Sequence, residues 1–176
     1  MEECIDLGTF PPLDCPMPQM SFPTKFGNCG VAWMDSALTR FEFFSQAPST
    51  AEPLPDWIAE LIARVQRHFE GDFQDFSSTP LLWSLVGDFQ QSVFRRTQAI
   101  PAGHTKSYGD IARELSLPAT SSRSIGTALG SNPWPLIVPC HRVVAASGKM
   151  TGFSAPGGVL TKTRLLALEG AELLSE

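Results

Sequence analysis

SYGDIARELSLPATSSRSIGTALG, residues 107–130, reads as two short helices with a break between them. Ser107 can cap the first, whose apolar residues Ile111, Ala112 and Leu115 fall at helical spacing. Leu117-Pro118-Ala119 stops it, because proline lacks a backbone donor and clashes with the turn before it. Ser121 or Ser122 starts the second helix, which runs through Leu129 to Gly130. This is the layout of a helix-turn-helix, and also of an ordinary helical hairpin, the commoner source of such a pattern. The second helix is small-sided: Ser122, Ser124, Gly126, Ala128 and Gly130 let its backbone approach another surface closely, with the long cation Arg123 near its start. Internal packing accounts for such a face. So does a helix lying in a DNA groove with Arg123 inserted into the base stack.

Upstream, helical spacing at Phe89, Val93 and Phe94 ends before Pro101-Ala102-Gly103. A low-charge connection fills 71–86. Before it, Asp56 is placed to cap a helix carrying Trp57, Ile58, Leu61, Ile62, Val65 and Phe69 on one face, stopping near Gly71. Val31-Ala32-Trp33-Met34 and Leu38 to Phe44 suggest a hairpin turning at Asp35-Ser36. The proline-rich residues 1–24 read as an extended, partly irregular arm. The expected fold is an α/β N-terminal domain, a small sheet plus a helix, over residues 1–85. A mostly helical domain with a winged-helix-like helix-turn-helix follows over 86–176.

The chain has 176 residues, 43% hydrophobic and 18% charged, enough to bury a core. No apolar run approaches the roughly 20 residues that span a bilayer, and the start Met1-Glu2-Glu3-Cys4 lacks the basic opening of a secretory signal. A cytoplasmic location, nucleoid-associated at work, is therefore expected, with no membrane partner. Net charge is −5, which speaks against nucleic acid, but it is unevenly spread. Residues 1–94 hold four Lys/Arg against thirteen Asp/Glu, and residues 95–176 hold nine against five. Only the second half suits a polyanion.

Downstream of the helices comes Asn132-Pro133-Trp134-Pro135-Leu136-Ile137-Val138-Pro139-Cys140-His141-Arg142-Val143-Val144. Its prolines stiffen a segment that delivers Cys140 to a defined place. A neighbouring histidine can relay a thiol's proton or lower its pKa, producing the nucleophilic thiolate. Four cysteines at 4, 15, 29 and 140 contain no CxxC pair, so neither a zinc knuckle nor a disulfide framework is indicated. His68 and His104 have no such context and read as surface residues.

At this string the sequence resembles the O6-alkylguanine-DNA alkyltransferase family, the methylated-DNA–protein-cysteine methyltransferases. Pro139-Cys140-His141-Arg142-Val143 matches the family's hallmark, Asn132-Pro133 its lead-in, and Arg123-Ser124-Ile125-Gly126 its arginine helix. Ile100 to Gly109 is similar to its entry into the helix-turn-helix. Gly152 to Gly158 and Lys162 to Gly170 are similar to its closing loop and last helix. The similarity covers about residues 89–170.

The resemblance implies direct repair of double-stranded DNA bearing O6-alkylguanine, and of O4-alkylthymine, by a monomer that transfers the alkyl group irreversibly to Cys140. His141, through a water, would take the thiol proton, Glu169 would orient its imidazole, Tyr108 would protonate N3 of the departing guanine, and Asn132 would hold the geometry. Arg123 would fill the gap left by the flipped base, with Ser122, Ser124, Gly126 and Ser131 on the DNA-binding face. Pro135, Trp134, Phe153 and Ser154 would line the substrate pocket. No cofactor is implied. Cys4, Cys15 and Cys29 would supply the structural zinc site of some relatives, but with no second histidine spaced near them no metal is expected. Phe153 stands where tyrosine is common, Ser131 where a basic residue is common, and Phe94 where tryptophan is frequent. Three other readings compete: a non-catalytic module that marks alkylated bases, a cysteine hydrolase, and a transcriptional helix-turn-helix protein. An intact Cys140, the adjacency of Cys140 and His141, and the Pro-rich string count against them in turn.

Overall fold

In a computed structural model, residues 17–47, 53–147, 150 and 152–171 are described. Cys4, Cys15 and most of the expected arm lie outside them. Its last part is a strand: β1 (Gln19–Phe22) pairs antiparallel with β2 (Cys29–Met34), which pairs antiparallel with β3 (Ala37–Phe43). The extended, partly irregular arm expected over residues 1–24 is, at Gln19–Phe22, a paired strand. Gln-Met-Ser-Phe has no β-branched residue, and β1 is held in place by its partner. The β2–β3 turn falls at Asp35-Ser36 as expected, with Asp35 at φ 51°.

Helix α1 (Asp56–Phe69) lies on this sheet, with Phe69 stacked on Phe26 at 5.1 Å and edge-on to Phe43 at 6.4 Å. Asp56 is its first helical residue and Pro55 holds the cap position, which corrects the expected Asp56 cap. The carboxylate still favours the positive end of the helix dipole.

Helix α2 (Asp88–Gln98) leads to β4 (Lys106–Ser107), α3 (Tyr108–Glu114) and α4 (Ser122–Gly130). Ser107 and Asp110 form a reciprocal cap: Asp110 N–H donates to Ser107 Oγ at 3.0 Å, and Ser107 N–H donates to Asp110 Oδ2 at 2.8 Å. That fixes the first turn of α3, and with it Tyr108. β5 (Val143–Val144) pairs parallel with β4, and α5 (Val159–Leu168) closes the described chain. Among the described residues no hairpin follows α4 where a wing would stand.

One apolar core runs through both halves, from Phe22 and Phe41 to Ile125, Val138 and Leu165. A backbone bond joins them as well: Phe41 N–H donates to Pro133 O at 3.0 Å. The sheet therefore buttresses the segment that carries Cys140.

Candidate active site

Residues 132–140 form a loop stapled by Asn132. Its Nδ2 donates to Val138 O at 2.8 Å, and its Oδ1 accepts from Trp134 N–H at 3.0 Å. Between these points Val138 N–H donates to Trp134 O at 2.8 Å, and Leu136, at φ 79°, turns the chain back. Leu136 is a strained choice for that conformation and is fully packed, so its surroundings enforce the turn. The loop hands over to a short 3₁₀ turn, Cys140–Arg142.

Cys140 is buried, 5% exposed. Burial pushes its thiol above the ordinary value, against hydrogen bonding from Asn132 and the charge of Lys162, which pull it down. It therefore rests as a thiol and needs a base. Cys29 is also buried, and its thiol is pushed up to about 12 by burial. Cys140 lies on the lining of a cavity.

Behind Cys140 lies a polar cluster in the core. Glu169, 4% exposed, follows the end of α5. Its Oε1 accepts from His141 Nε2 at 3.2 Å, His68 Nε2 at 3.1 Å and Arg142 Nη2 at 2.7 Å, and its Oε2 accepts from Arg142 Nε at 2.9 Å. Burial alone would raise this carboxyl, but the bonds from His141, His68 and Arg142 overcome it and hold Glu169 well below the usual carboxylate range. An ionised carboxylate only accepts, so His141 Nε2 carries a proton. Burial also pushes His141 below the ordinary imidazole value, against the pull of Glu169, leaving it neutral. Its lone pair then sits on Nδ1, which is buried and has no hydrogen-bond partner among the described residues. The arrangement is that of a base waiting for a proton.

In front of Cys140 is a cavity of about 690 Å³. One wall is α4, through Ser122, Arg123, Gly126 and Thr127. Tyr108, Phe153 and Ser154 face it, and Cys140 lies on the same lining. Arg123 is exposed at this wall. Gly126 lies beside the Tyr108 ring, where an added Cβ would make an ordinary contact at 3.7 Å.

The family model for the DNA-binding domain of 6-O-methylguanine DNA methyltransferases matches residues 88–171. The methylated-DNA–protein-cysteine methyltransferase of Mycolicibacterium paratuberculosis is 38% identical over 154 residues, covering 83% of this chain and 88% of that protein. The chain belongs to the methylated-DNA–protein-cysteine methyltransferase family. Two solved structures from Mycobacterium tuberculosis extend the match to three dimensions. Its OGT in complex with DNA is 35% identical, with a TM-score of 0.73 over 86% of this chain and 92% of that one. Its O6-methylguanine methyltransferase is 33% identical, with a TM-score of 0.74 over 88% and 93%. The family resemblance seen from about residue 89 onward thus reaches into the N-terminal half.

Three expected positions need correcting, Trp134, His68 and Pro135. Trp134 does not line the cavity: its indole is fully buried, donates Nε1–H to Leu38 O at 2.9 Å and packs edge-on to Trp83 and Phe94. It pins the Cys140 loop to the sheet. His68, expected on the surface, is 0% exposed and sits on Glu169. Pro135 and Ser131 border a neighbouring hollow beside β3 that shares Ser154 with the cavity. Ser131 is exposed and accepts from Gln90 Nε2 at 2.8 Å. Ser124 is exposed on α4 without lining the cavity.

Three side chains of the site went unassigned in the sequence. Arg142 clamps Glu169 and donates Nη1 to Ile100 O at 2.6 Å. Lys162 is buried with Nζ donating to Val143 O at 2.7 Å and lying 5.9 Å from the Tyr108 ring centroid. His68 is the third. Its signal was present: Ile58, Leu61, Val65 and His68 follow helical spacing on the buried face of α1. Lys162, Leu165, Leu166 and Glu169 repeat the pattern around α5.

Proposed function

We propose that this protein repairs duplex DNA by drawing the alkyl group of a flipped O6-alkylguanine, or O4-alkylthymine, onto Cys140. The family's reaction is alkyl transfer from DNA to a cysteine of the protein itself, and this chain performs it as a methylated-DNA–protein-cysteine methyltransferase. One observation carries the residue assignment: Cys140 stands between an open cavity walled by α4 and a buried His141–Glu169 pair whose free lone pair is on Nδ1.

His141 Nδ1 takes the thiol proton through a bridging water, with Glu169 stabilising the imidazolium that forms. The thiolate attacks the alkyl carbon. A sulfur–carbon bond forms, the carbon–O6 bond breaks, and its electron pair leaves on the guanine. Tyr108 returns a proton at N3 of that leaving group. The thioether is a poor leaving group, so the protein does not turn over. Arg123 on α4 fills the space the base vacates, with Ser122 and Gly126 allowing close approach. Phe153 offers an apolar wall for the flipped base. The protein works as a monomer on DNA and in the cytoplasm; among the described residues no helix is long and apolar enough to cross a membrane.

The test is incubation with duplex carrying isotopically labelled O6-methylguanine, followed by peptide mapping. The label is expected on the peptide holding Cys140, and Cys140→Ser is expected to bind the duplex without accepting label. Label on Cys29 or on no cysteine would overturn the assignment.

A further inference from the structure

Orienting one imidazole needs one acceptor atom, yet Glu169 Oε1 receives three donors: His141, Arg142 and His68. His68 comes from α1, in the other half of the protein, 101 residues away in sequence. Its ring is fully buried between Phe69, Phe73 and Phe76, with centroids at 5.6, 5.4 and 5.4 Å. Gln74 N–H, just past the end of α1, donates to His68 Nδ1 at 3.1 Å. Nδ1 therefore holds no proton, and Nε2 must carry one. His68 can meet Glu169 only as a donor.

We propose that His68 is a positioning residue for alkyl transfer. It competes with His141 for Glu169 Oε1 and so limits how firmly the carboxylate holds the imidazolium of His141. The inference rests on His141 acting as the base. A carbonyl-type oxygen has two lone pairs, so three donors on Oε1 share it and each bond is weaker than it would be alone. The charged and titratable groups around His141 are Glu169, Arg142 and His68, with Cys140 next in sequence and Lys162 acting on Cys140 from α5. Glu169 is the anion among them. With His68 removed, Oε1 turns more fully to His141, the imidazolium is stabilised, and the base is neutral only at higher pH. Held in place, His68 keeps His141 unprotonated at lower pH. It also ties that base to the docking of α1 and the sheet.

Transfer rates from an O6-methylguanine duplex at saturating DNA, followed against pH, test this with two substitutions. His68→Phe keeps a ring among the phenylalanines and removes the N–H, whereas His68→Gln keeps an amide donor facing Glu169. His68→Phe is expected to move the acid limb upward by about half a unit to one unit. Acid-side rates would then fall about threefold to tenfold, with the alkaline plateau kept. His68→Gln should return most of the shift. A uniform loss at every pH, with the limb unmoved, would make His68 a packing residue and overturn the proposal. Should His68→Phe not fold, nitrogen NMR of the histidine rings in wild type and His68→Gln decides. It should show the Nε2–H form of His68; the Nδ1–H form overturns the proposal. A wild type with no acid limb, or a His141→Gln variant with the wild-type profile, would remove the base reading itself. A limb present but indifferent to His68→Phe removes only the role of His68.

Discussion

Glu169 accepts four hydrogen bonds from three side chains, and each donor depends on its charge. Glu169→Gln would leave the Arg142 guanidinium buried without a counter-ion, a loss of about 3–5 kcal/mol. The sign with pH follows from the lowered carboxyl. Its contribution is fully present above the unfolded value of about 4.3 and is lost as pH falls below that toward the folded value. Denaturant midpoints should therefore drop on acidification in the wild type and drop less in Glu169→Gln; equal slopes would deny Glu169 this role. Tyr108 tests the other end of the reaction. Tyr108→Phe should slow transfer by up to about 10²–10⁴ with little change in DNA affinity. Equal rates at saturating DNA would leave Tyr108 only its packing against α4. Both residues were legible in the sequence through their motif. For His68 the spacing carried its burial but not its role, because that role depends on a partner 101 residues away.

The α3–α4 pair was the most readable part of the fold, since its stops and starts are local: Ser107 and Asp110 cap one helix, and Pro118 separates it from the next. Strand β1 has no β-branched residue and is held by pairing with β2, and the placement of Trp134 depends on Leu38, 96 residues away, so local pattern supplied neither. For α4 the decisive comparison is duplex against free base. Arg123→Ala should impair repair of duplex DNA far more than reaction with free O6-benzylguanine, which has no stack to leave. Arg123→Lys keeps the charge and changes the shape, so it should rescue only partly, and the deficit should persist at high salt. An equally large loss with the free base would point to damage at Cys140 instead.

Charge divides the molecule while its core unites it. The acidic residues crowd the first half and the basic ones the second, yet Trp134, Phe41 and Val138 belong to one apolar cluster, and His68 reaches the Glu169 carboxylate from across it. The two halves should accordingly melt together, with tryptophan fluorescence and far-UV circular dichroism giving coincident transitions. Trp134→Ala should cost about 3–5 kcal/mol and lower both. Two separate transitions in the wild type would mean that the halves stand independently.

Cys140 has the His141–Glu169 pair behind it and a cavity in front, and in the proposed reaction its sulfur keeps the alkyl group. Titration with a molar excess of O6-methylguanine duplex measures the consequence. Methyl transfer should stop at one equivalent per protein, with all of it on Cys140 and unreacted duplex left over. Continued repair beyond that equivalent, or methylation that survives Cys140→Ser, would contradict a reaction in which the protein's own sulfur is the final acceptor.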